Sequence, residues 1–225
     1  MEPSAADIWS SLDRLVYYQP MAPRGAQERS TATQSKLLST TAGLLRERGY
    51  HGAGLGEILT SSGVPKGSLY HHFPGGKAEL AAAALRTSGE RVLASLEQLA
   101  DQSGSVAAAV GRFCDLYADE LTRSDYRRGC PLATVALESA VLDGGVQEEL
   151  GWAMGAMVDL LARRLAEENP ALLDTRGLAT EVVAAVEGAL VLAKATRSIE
   201  PLTTVRDRLV ARVTGVVRTG HEAGA

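Results

Sequence analysis

Residues 55–80 constrain the fold most, because two short helical patterns follow each other there around a single glycine. Apolar residues recur at helical spacing over 55–61 and predict a first helix with one apolar face. Gly63 follows it and can adopt the positive φ that a sharp corner between helices needs. The stretch therefore predicts two short helices joined by a tight turn.

The second of these helices, predicted from Pro65 to about His72, is too short and too polar for a core element. Pro65 fits the first turn, where its missing N–H is not needed. Leu69 and Phe73 are four residues apart and can anchor one side. The side chains left to face outward are Lys66, Ser68, Tyr70, His71 and His72. A short exposed helix with cationic, hydroxyl and imidazole groups suits the major groove of DNA.

The segment GVPKGSLYHHFPGGKAEL resembles the helix-turn-helix of TetR-family transcriptional regulators, whose pattern is roughly GVSKGSLYHHFPSKEEL. The resemblance covers about residues 36–85. The run FPGGK is one residue longer than the commonest spacing and resembles the LmrA/YxaF-like branch of that family. A second run, GCPLATVALE at 129–138, resembles the start of a body helix in the same branch.

This resemblance implies which residues touch DNA. Tyr70 and Lys77 would hold phosphates, and Gly67 would let the helix approach closely. The predicted DNA-binding residues are Arg29, Lys36, Lys66, Gly67, Ser68, Tyr70, His71, His72 and Lys77. The partners implied are a double-stranded, roughly palindromic operator, a second copy of the chain in a homodimer, and a small hydrophobic effector. The implied action is repression that the effector relieves.

Charge is divided unevenly along the chain. Residues 21–77 carry seven Lys or Arg against three Glu, a net charge of +4, whereas residues 78–225 carry a net charge of −6. A basic segment on an acidic body fits a DNA-binding head joined to a domain that does not touch DNA. Strand patterns are scarce and long helical periods dominate, which predicts an all-α fold.

Three parts are predicted: an N-terminal extension over 1–28, a helix-turn-helix domain over 29–76, and a helical ligand-binding and dimerisation domain over 77–225. The extension is either an arm that touches DNA or packs on the body, or a poorly ordered tail. Further helices are predicted over 31–48, 77–100, 106–123, 146–168, 174–198 and 205–218.

Two residue sets in the body are expected to bind. Aromatic and Met side chains suit an adaptable apolar pocket, and the predicted ligand-binding residues are Phe113, Leu116, Tyr117, Leu137, Glu138, Trp152, Met154 and Met157. The last two long helices are strongly apolar, and the family resemblance implies that they pair with their copies. The predicted dimer-interface residues are Val182, Val186, Ala189, Leu190, Ala193, Val205, Leu209, Val213 and Val216.

The sequence indicates no enzyme, because none of the motifs HExxH, CxxC, GxSxG or a complete P-loop occurs. No catalytic residue, metal or cofactor is therefore predicted. Two cysteines form no disulfide framework, and no stretch approaches a membrane span, which predicts a cytoplasmic protein without membrane contact. A helical enzyme without a recognisable motif and a protein-binding adaptor remain the alternatives.

Overall fold

A computed structural model describes the backbone of residues 26–138 and 144–222, and side chains over 29–138 and 144–217. The described part of the chain is helical and contains no strand, as the predicted all-α fold requires. Residues 1–25 of the predicted N-terminal extension lie outside it. The helices are α1 (Ala26–Gly52), α2 (Leu55–Ser62), α3 (Lys66–His72), α4 (Lys77–Ser103), α5 (Val106–Arg123), α6 (Pro131–Ala136), α7 (Gly144–Glu168), α8 (Thr175–Thr196) and α9 (Glu200–Glu222).

Prolines mark the main differences between predicted and observed helix ends. Pro65 lies just outside α3 as its extended N-cap residue, with φ of −61° and ψ of 144°, rather than within the first turn. Pro201 lies inside the first turn of α9, so this helix begins at Glu200 instead of at 205. A proline is compatible with the first turn because the N–H groups there have no partner within the helix.

Two glycines set the corners around α2. Gly63 has φ of 65° and ends α2 in the left-handed conformation, as the sequence predicts. Gly49 has φ of 72° and ψ of −172°, so the regular part of α1 ends there and a short turn follows. We call residues 49–54 the α1–α2 corner. Residues with a Cβ rarely adopt a positive φ, which explains why glycine occupies both positions.

The chain forms two compact units whose boundaries do not follow the sequence in a simple way. Within the described residues, the N-terminal unit comprises 26–91, 130–138 and 144–153, and the C-terminal unit comprises 92–129 and 154–222. The three boundaries, at 91/92, 129/130 and 153/154, therefore fall inside or beside helices rather than at 76/77. The predicted division at 76/77 rests on motif boundaries, whereas contacts hold residues 77–91 and α6 with the helix-turn-helix.

The N-terminal unit is built on a small apolar core. Its buried side chains come from α1, α2, the turn, α3 and α4: Leu37, Ile58, Val64, Leu69, Phe73 and Leu80. Helix α6 packs against α1 although some eighty residues separate them in sequence. On the surface, Arg48 Nη1 and Glu57 Oε2 pair at 2.6 Å and connect α1 to α2.

The C-terminal unit is a bundle in which α9 packs on both α5 and α8. Its helices are capped by side chains, as when Asp174 Oδ1 accepts the Gly177 N–H at 2.8 Å at the start of α8. Arg206 Nη1 and Asp115 Oδ1 pair at 2.6 Å and connect α9 to α5. Leu202, Leu209 and Val213 of α9 are buried along its inward face, as are Leu178, Val182, Val186, Ala189, Leu190 and Ala193 of α8.

Candidate nucleic-acid interface and ligand cavity

Two apolar side chains fix the orientation of α3. Leu69 is fully buried and Phe73 is 3 % exposed, so both anchor the helix on the core as their spacing predicts. Ile58 from α2 and Val64 from the turn complete the support. Since α3 has only seven residues, anchoring one side leaves the other side to solvent. Lys66, Gly67, Tyr70 and His71 are exposed there, and Ser68 and His72 are half-buried.

Gly67 has no structural reason to be glycine. It lies in the first turn of α3, and a Cβ at this position would meet no atom within 4 Å. Its φ is not positive, so the backbone does not require glycine either. The space in front of the α3 backbone is therefore open, and a surface such as a DNA groove could approach it closely.

The other cationic candidates lie on α1 and at the start of α3. Arg29 and Lys36 are exposed on α1, and Lys66 Nζ lies 6.0 Å from the centroid of the Tyr70 ring. The Tyr70 ring itself lies over the backbone of Gly76, where a Cβ would be 3.4 Å from Tyr70 Cε1. A phenol and a lysine on one exposed face supply the hydroxyl and cation that phosphate contacts use.

Lys77 has a more enclosed environment than its neighbours. Its Nζ lies 4.4 Å from the centroid of the Tyr50 ring. Burial lowers the pKa of the Lys77 ammonium, and the negative charge of Glu138 partly opposes that shift. The first effect disfavours the charged form and the second favours it. Lys77 is thus a cation held against an aromatic face at the start of α4.

An apolar cavity lies within the C-terminal unit. Its volume is about 10 Å³, room for roughly one water molecule. The lining residues come from α4, α5, α7 and α8: Leu96, Val110, Phe113, Met157, Leu161, Val182, Val183, Val186 and Glu187. Glu187 is the charged residue among them. In this conformation the cavity is too small for an organic ligand, so binding one requires the lining side chains to move apart.

The structure places the predicted ligand-binding residues in different surroundings. Phe113 and Met157 line the cavity. Leu116 and Tyr117 are buried in α5 and Met154 is half-buried, but none of the three lines it.

The other three predicted ligand-binding residues, Leu137, Glu138 and Trp152, belong to the N-terminal unit. Leu137 is 76 % exposed. The Glu138 carboxylate accepts the His51 N–H at 2.8 Å. Trp152 lies under the Arg86 guanidinium, 3.7 Å from ring centroid to Cζ.

Most of the predicted dimer-interface residues are buried within a single chain. Seven of the nine are buried inside a single chain: Val182, Val186, Ala189, Leu190, Ala193, Leu209 and Val213. Of these, Val182 and Val186 line the cavity. Val205 and Val216 are half-buried. A helix that is apolar around its circumference can pack on two sides. In α8, the side with more apolar residues packs within the chain. The exposed face of α8 carries smaller or fewer apolar residues: Ala184, Gly188, Val191, Leu192 and Ala195, with Ile199 just beyond.

Sequence reasoning missed most of the cavity lining. Leu96, Val110, Leu161 and Val183 are ordinary apolar residues on helical faces, and only the packing of four helices selects them. Glu187 interrupts an otherwise apolar run in α8, which was the available signal.

Both thiols are buried, and burial together with Asp115 raises the pKa of Cys114 to about 12. A buried thiol with a raised pKa reacts slowly, since the thiolate is the reactive form. Within residues 26–138 and 144–222, no cluster of three or more His, Cys, Asp or Glu has the arrangement of a metal site. None of the described helices combines the length and apolar character of a membrane span.

Two family models match the chain. Residues 37–84 match the model described as bacterial regulatory proteins, tetR family. Residues 106–208 match the model described as transcriptional regulator LmrA/YxaF-like, C-terminal domain. The first covers the helix-turn-helix and its supporting helices, and the second covers most of the C-terminal unit together with α6.

Known proteins agree with these matches. The HTH-type transcriptional regulator Rv0196 of Mycobacterium tuberculosis is 32 % identical over 78 % of this chain and 91 % of its own. YxaF of Bacillus subtilis is 29 % identical over 79 % and 93 %. Among solved structures, reduced NemR of E. coli superposes with a TM-score of 0.71 at 26 % identity, covering 79 % of this chain and 94 % of its own.

A regulatory protein TetR from Rhodobacter sphaeroides has the same fold, with a TM-score of 0.73 at 24 % identity over 80 % of this chain and 97 % of its own. The relatives with assigned names are transcriptional regulators rather than enzymes. Together with the exposed, apolar-anchored α3, these similarities establish that the chain belongs to the TetR family of DNA-binding transcriptional regulators, in its LmrA/YxaF-like branch.

Proposed function

We propose that this regulator is a repressor that binds a roughly palindromic operator as a homodimer and is released when a small hydrophobic effector enters the C-terminal unit. The exposed side of α3 carries this proposal. It combines an open backbone at Gly67 with the exposed side chains of Lys66, Tyr70 and His71.

Each DNA role follows from the placement of the side chain. Exposed Lys66 and His71 can reach base edges, and Gly67 permits close approach of α3 to the groove floor. Tyr70 is suited to a phosphate oxygen, as are the exposed cations of α1, Arg29 and Lys36. Ser68, His72 and Lys77 are half-buried; they would act at the edge of the interface.

The homodimer is proposed to form through the exposed face of α8. Val191 and Leu192 are 43 % and 55 % exposed, and Ile199 is 37 % exposed. Ala184, Gly188 and Ala195 are small, so another helix can approach closely between the larger side chains. Two recognition helices in one assembly predict half-sites about one helical turn of DNA apart.

The proposed effector is small and mainly apolar, because eight of the nine residues that line the cavity are uncharged. Since the cavity holds about 10 Å³, a bound effector would select a conformation in which α8 and α5 move apart. A ligand shifts the equilibrium only by its preference for one conformation. Release of DNA therefore requires that the expanded conformation bind DNA less well.

Repression is favoured over activation by the similarity to the HTH-type transcriptional repressor NemR of Escherichia coli, which is 26 % identical over 83 % of this chain. Cytoplasmic location would follow from action on the bacterial chromosome. The proposed action needs no cofactor, since it requires only effector binding and the change between two conformations of the protein.

The test uses the full chain and duplex DNA from its own upstream intergenic region. Fluorescence anisotropy should show specific binding, light scattering should show two chains, and footprinting should show two symmetric half-sites. A screen of small apolar compounds by thermal shift should then find one that releases the DNA. A protein that remains single-chained and binds this DNA no better than random duplex would refute the proposal.

A further inference from the structure

Segment 130–138 belongs to the N-terminal unit although it lies far from the helix-turn-helix in sequence. Helix α6 packs on α1, and Glu138 follows α6 directly. The side chain of Glu138 is 25 % exposed. It therefore lies against the α1–α2 corner, the turn from which α2 and then α3 continue.

Glu138 holds the backbone that follows the kink at Gly49 in α1. Its Oε2 accepts the His51 N–H at 2.8 Å. A Cβ at Gly49 would overlap Oε1 of the same carboxylate, so the glycine makes room for it. The imidazole Nε2 of His51 lies 3.9 Å from Oε2. The carboxylate thus fills a gap that only a residue without a Cβ leaves open.

The same carboxylate acts on the charge environment of Lys77. Burial lowers the pKa of Lys77, whose Nζ lies on the Tyr50 ring, and the negative charge of Glu138 partly opposes that shift. The Tyr50 and His51 rings meet edge to face at a centroid distance of 5.4 Å. Glu138, His51, Tyr50 and Lys77 therefore form one contact chain from the end of α6 to the start of α4.

We propose that Glu138 is a positioning residue for DNA binding: its bond to the His51 N–H fixes the α1–α2 corner and, through it, the orientation of α2 and α3. It touches no DNA itself. When the bond is lost, the corner samples more conformations and fewer molecules hold α3 in the binding orientation. The apparent dissociation constant rises by the inverse of the competent fraction.

Two substitutions at position 138 separate the hydrogen bond from the charge. Glu138→Gln and Glu138→Ala both remove the charge, but Gln retains an oxygen that the His51 N–H can reach. DNA affinity is measured by anisotropy on a duplex that the wild-type protein selects from a random-sequence pool. We expect Glu138→Ala to bind about fivefold more weakly than Glu138→Gln, the order of one ordinary hydrogen bond.

The salt dependence distinguishes positioning from contact. Because no phosphate contact is removed, the slope of log K against log salt should be the same for both variants and the wild type. The His51 amide should exchange its hydrogen faster in Glu138→Ala than in Glu138→Gln. Glu148 is exposed on α7, and Glu148→Ala and Glu148→Gln should bind DNA alike.

Equal DNA affinity of Glu138→Ala and Glu138→Gln would overturn the proposal, and so would a slope lowered by about one unit, which indicates a lost phosphate contact. If Glu138→Ala does not fold, Glu138→Asp replaces it. That variant keeps the charge but is one methylene too short for the His51 N–H. Weaker binding than wild type then supports the proposal, and equal binding overturns it. Wild-type binding to the selected duplex confirms DNA recognition independently.

Discussion

Helices α3 and α8 use their apolar residues in opposite ways. At α3, Leu69 and the following Phe73 face the core, and the remaining side chains are exposed or half-buried. In α8, apolar residues occur around the whole circumference, and the chain itself uses the richer face for its core and cavity. In a short helix with one apolar and one polar side, the polar side is therefore the candidate binding surface. A uniformly apolar helix reveals only that it has more than one partner.

The largest expected effect concerns the outer face of α8. Leu192→Glu places a charge at the centre of the proposed subunit interface, where its desolvation would be costly. We expect the protein to become single-chained by light scattering and to lose about 100-fold or more in operator affinity, because one half-site is then bound without the other.

Leu173→Glu is the matched control, since Leu173 is fully exposed outside α8. It should leave both mass and affinity unchanged. If Leu192→Glu remains a dimer, the subunits contact each other elsewhere. The exposed face of α8 would then not be the subunit interface.

Local sequence accounts for the agreement in the N-terminal unit. The bounds of α2 and α3, the positive φ of Gly63 and the outward face of Tyr70 and His71 all follow from spacing within a few residues. The family motif then assigned functions to those same positions. Glu138 escaped this reasoning, because its partner His51 is 87 residues away and no local pattern connects them.

Tertiary packing explains why the sequence predicts the surroundings of individual residues less completely in the C-terminal unit. Val182 and Val186 are predicted at a subunit interface because they are apolar and lie on a helix that the family resemblance pairs with its copy, and the same apolar character suits them to the cavity lining. Hydrophobic periodicity gives the number of apolar faces but not which neighbour covers each face. Leu137 shows the converse case: an apolar side chain in the run that resembles the start of a body helix is 76 % exposed.

The second prediction concerns the cavity. Leu161 is 5 % exposed and lines it, so Leu161→Ala should lower the free energy of unfolding by about 2–5 kcal/mol. The enlarged apolar space should bind benzene, which raises the melting temperature of the variant but not of the wild type. Leu173→Ala is the exposed control. A loss below about 1 kcal/mol, without a benzene effect, would contradict this cavity.

The third prediction concerns the phosphate contact proposed for Lys77. Lys77→Ala should weaken binding to all duplexes by about tenfold and lower the salt slope by about 0.9, as expected for one lost phosphate contact. Lys194→Ala removes the same charge from the C-terminal unit and should change neither value. An unchanged slope for Lys77→Ala would assign Lys77 to the Tyr50 contact alone.

The pKa of Lys77 adds a pH dependence to this comparison. Because burial lowers that pKa, Lys77 loses its proton at lower pH than an ordinary lysine. The DNA affinity of the wild type should then fall as the pH rises through the pKa of Lys77. Lys77→Ala should not show the decrease in affinity that comes from this deprotonation. Anisotropy titrations at constant ionic strength measure the difference.

The smallest effect is expected at Gly67, where stability and function should change in opposite directions. Gly67→Ala adds a Cβ into open space in α3, which should stabilise the fold by up to about 1 kcal/mol. The same methyl group prevents close approach to the groove and should weaken operator binding about fivefold.

Gly56 provides the matched control, since it is also the second residue of its helix, is exposed and has open space around it. Gly56→Ala should give a similar gain in stability with operator affinity unchanged. If both variants gain stability and both bind normally, the open space in front of α3 is not filled by DNA. The recognition surface would then have to begin further along the helix, at Tyr70 and His71.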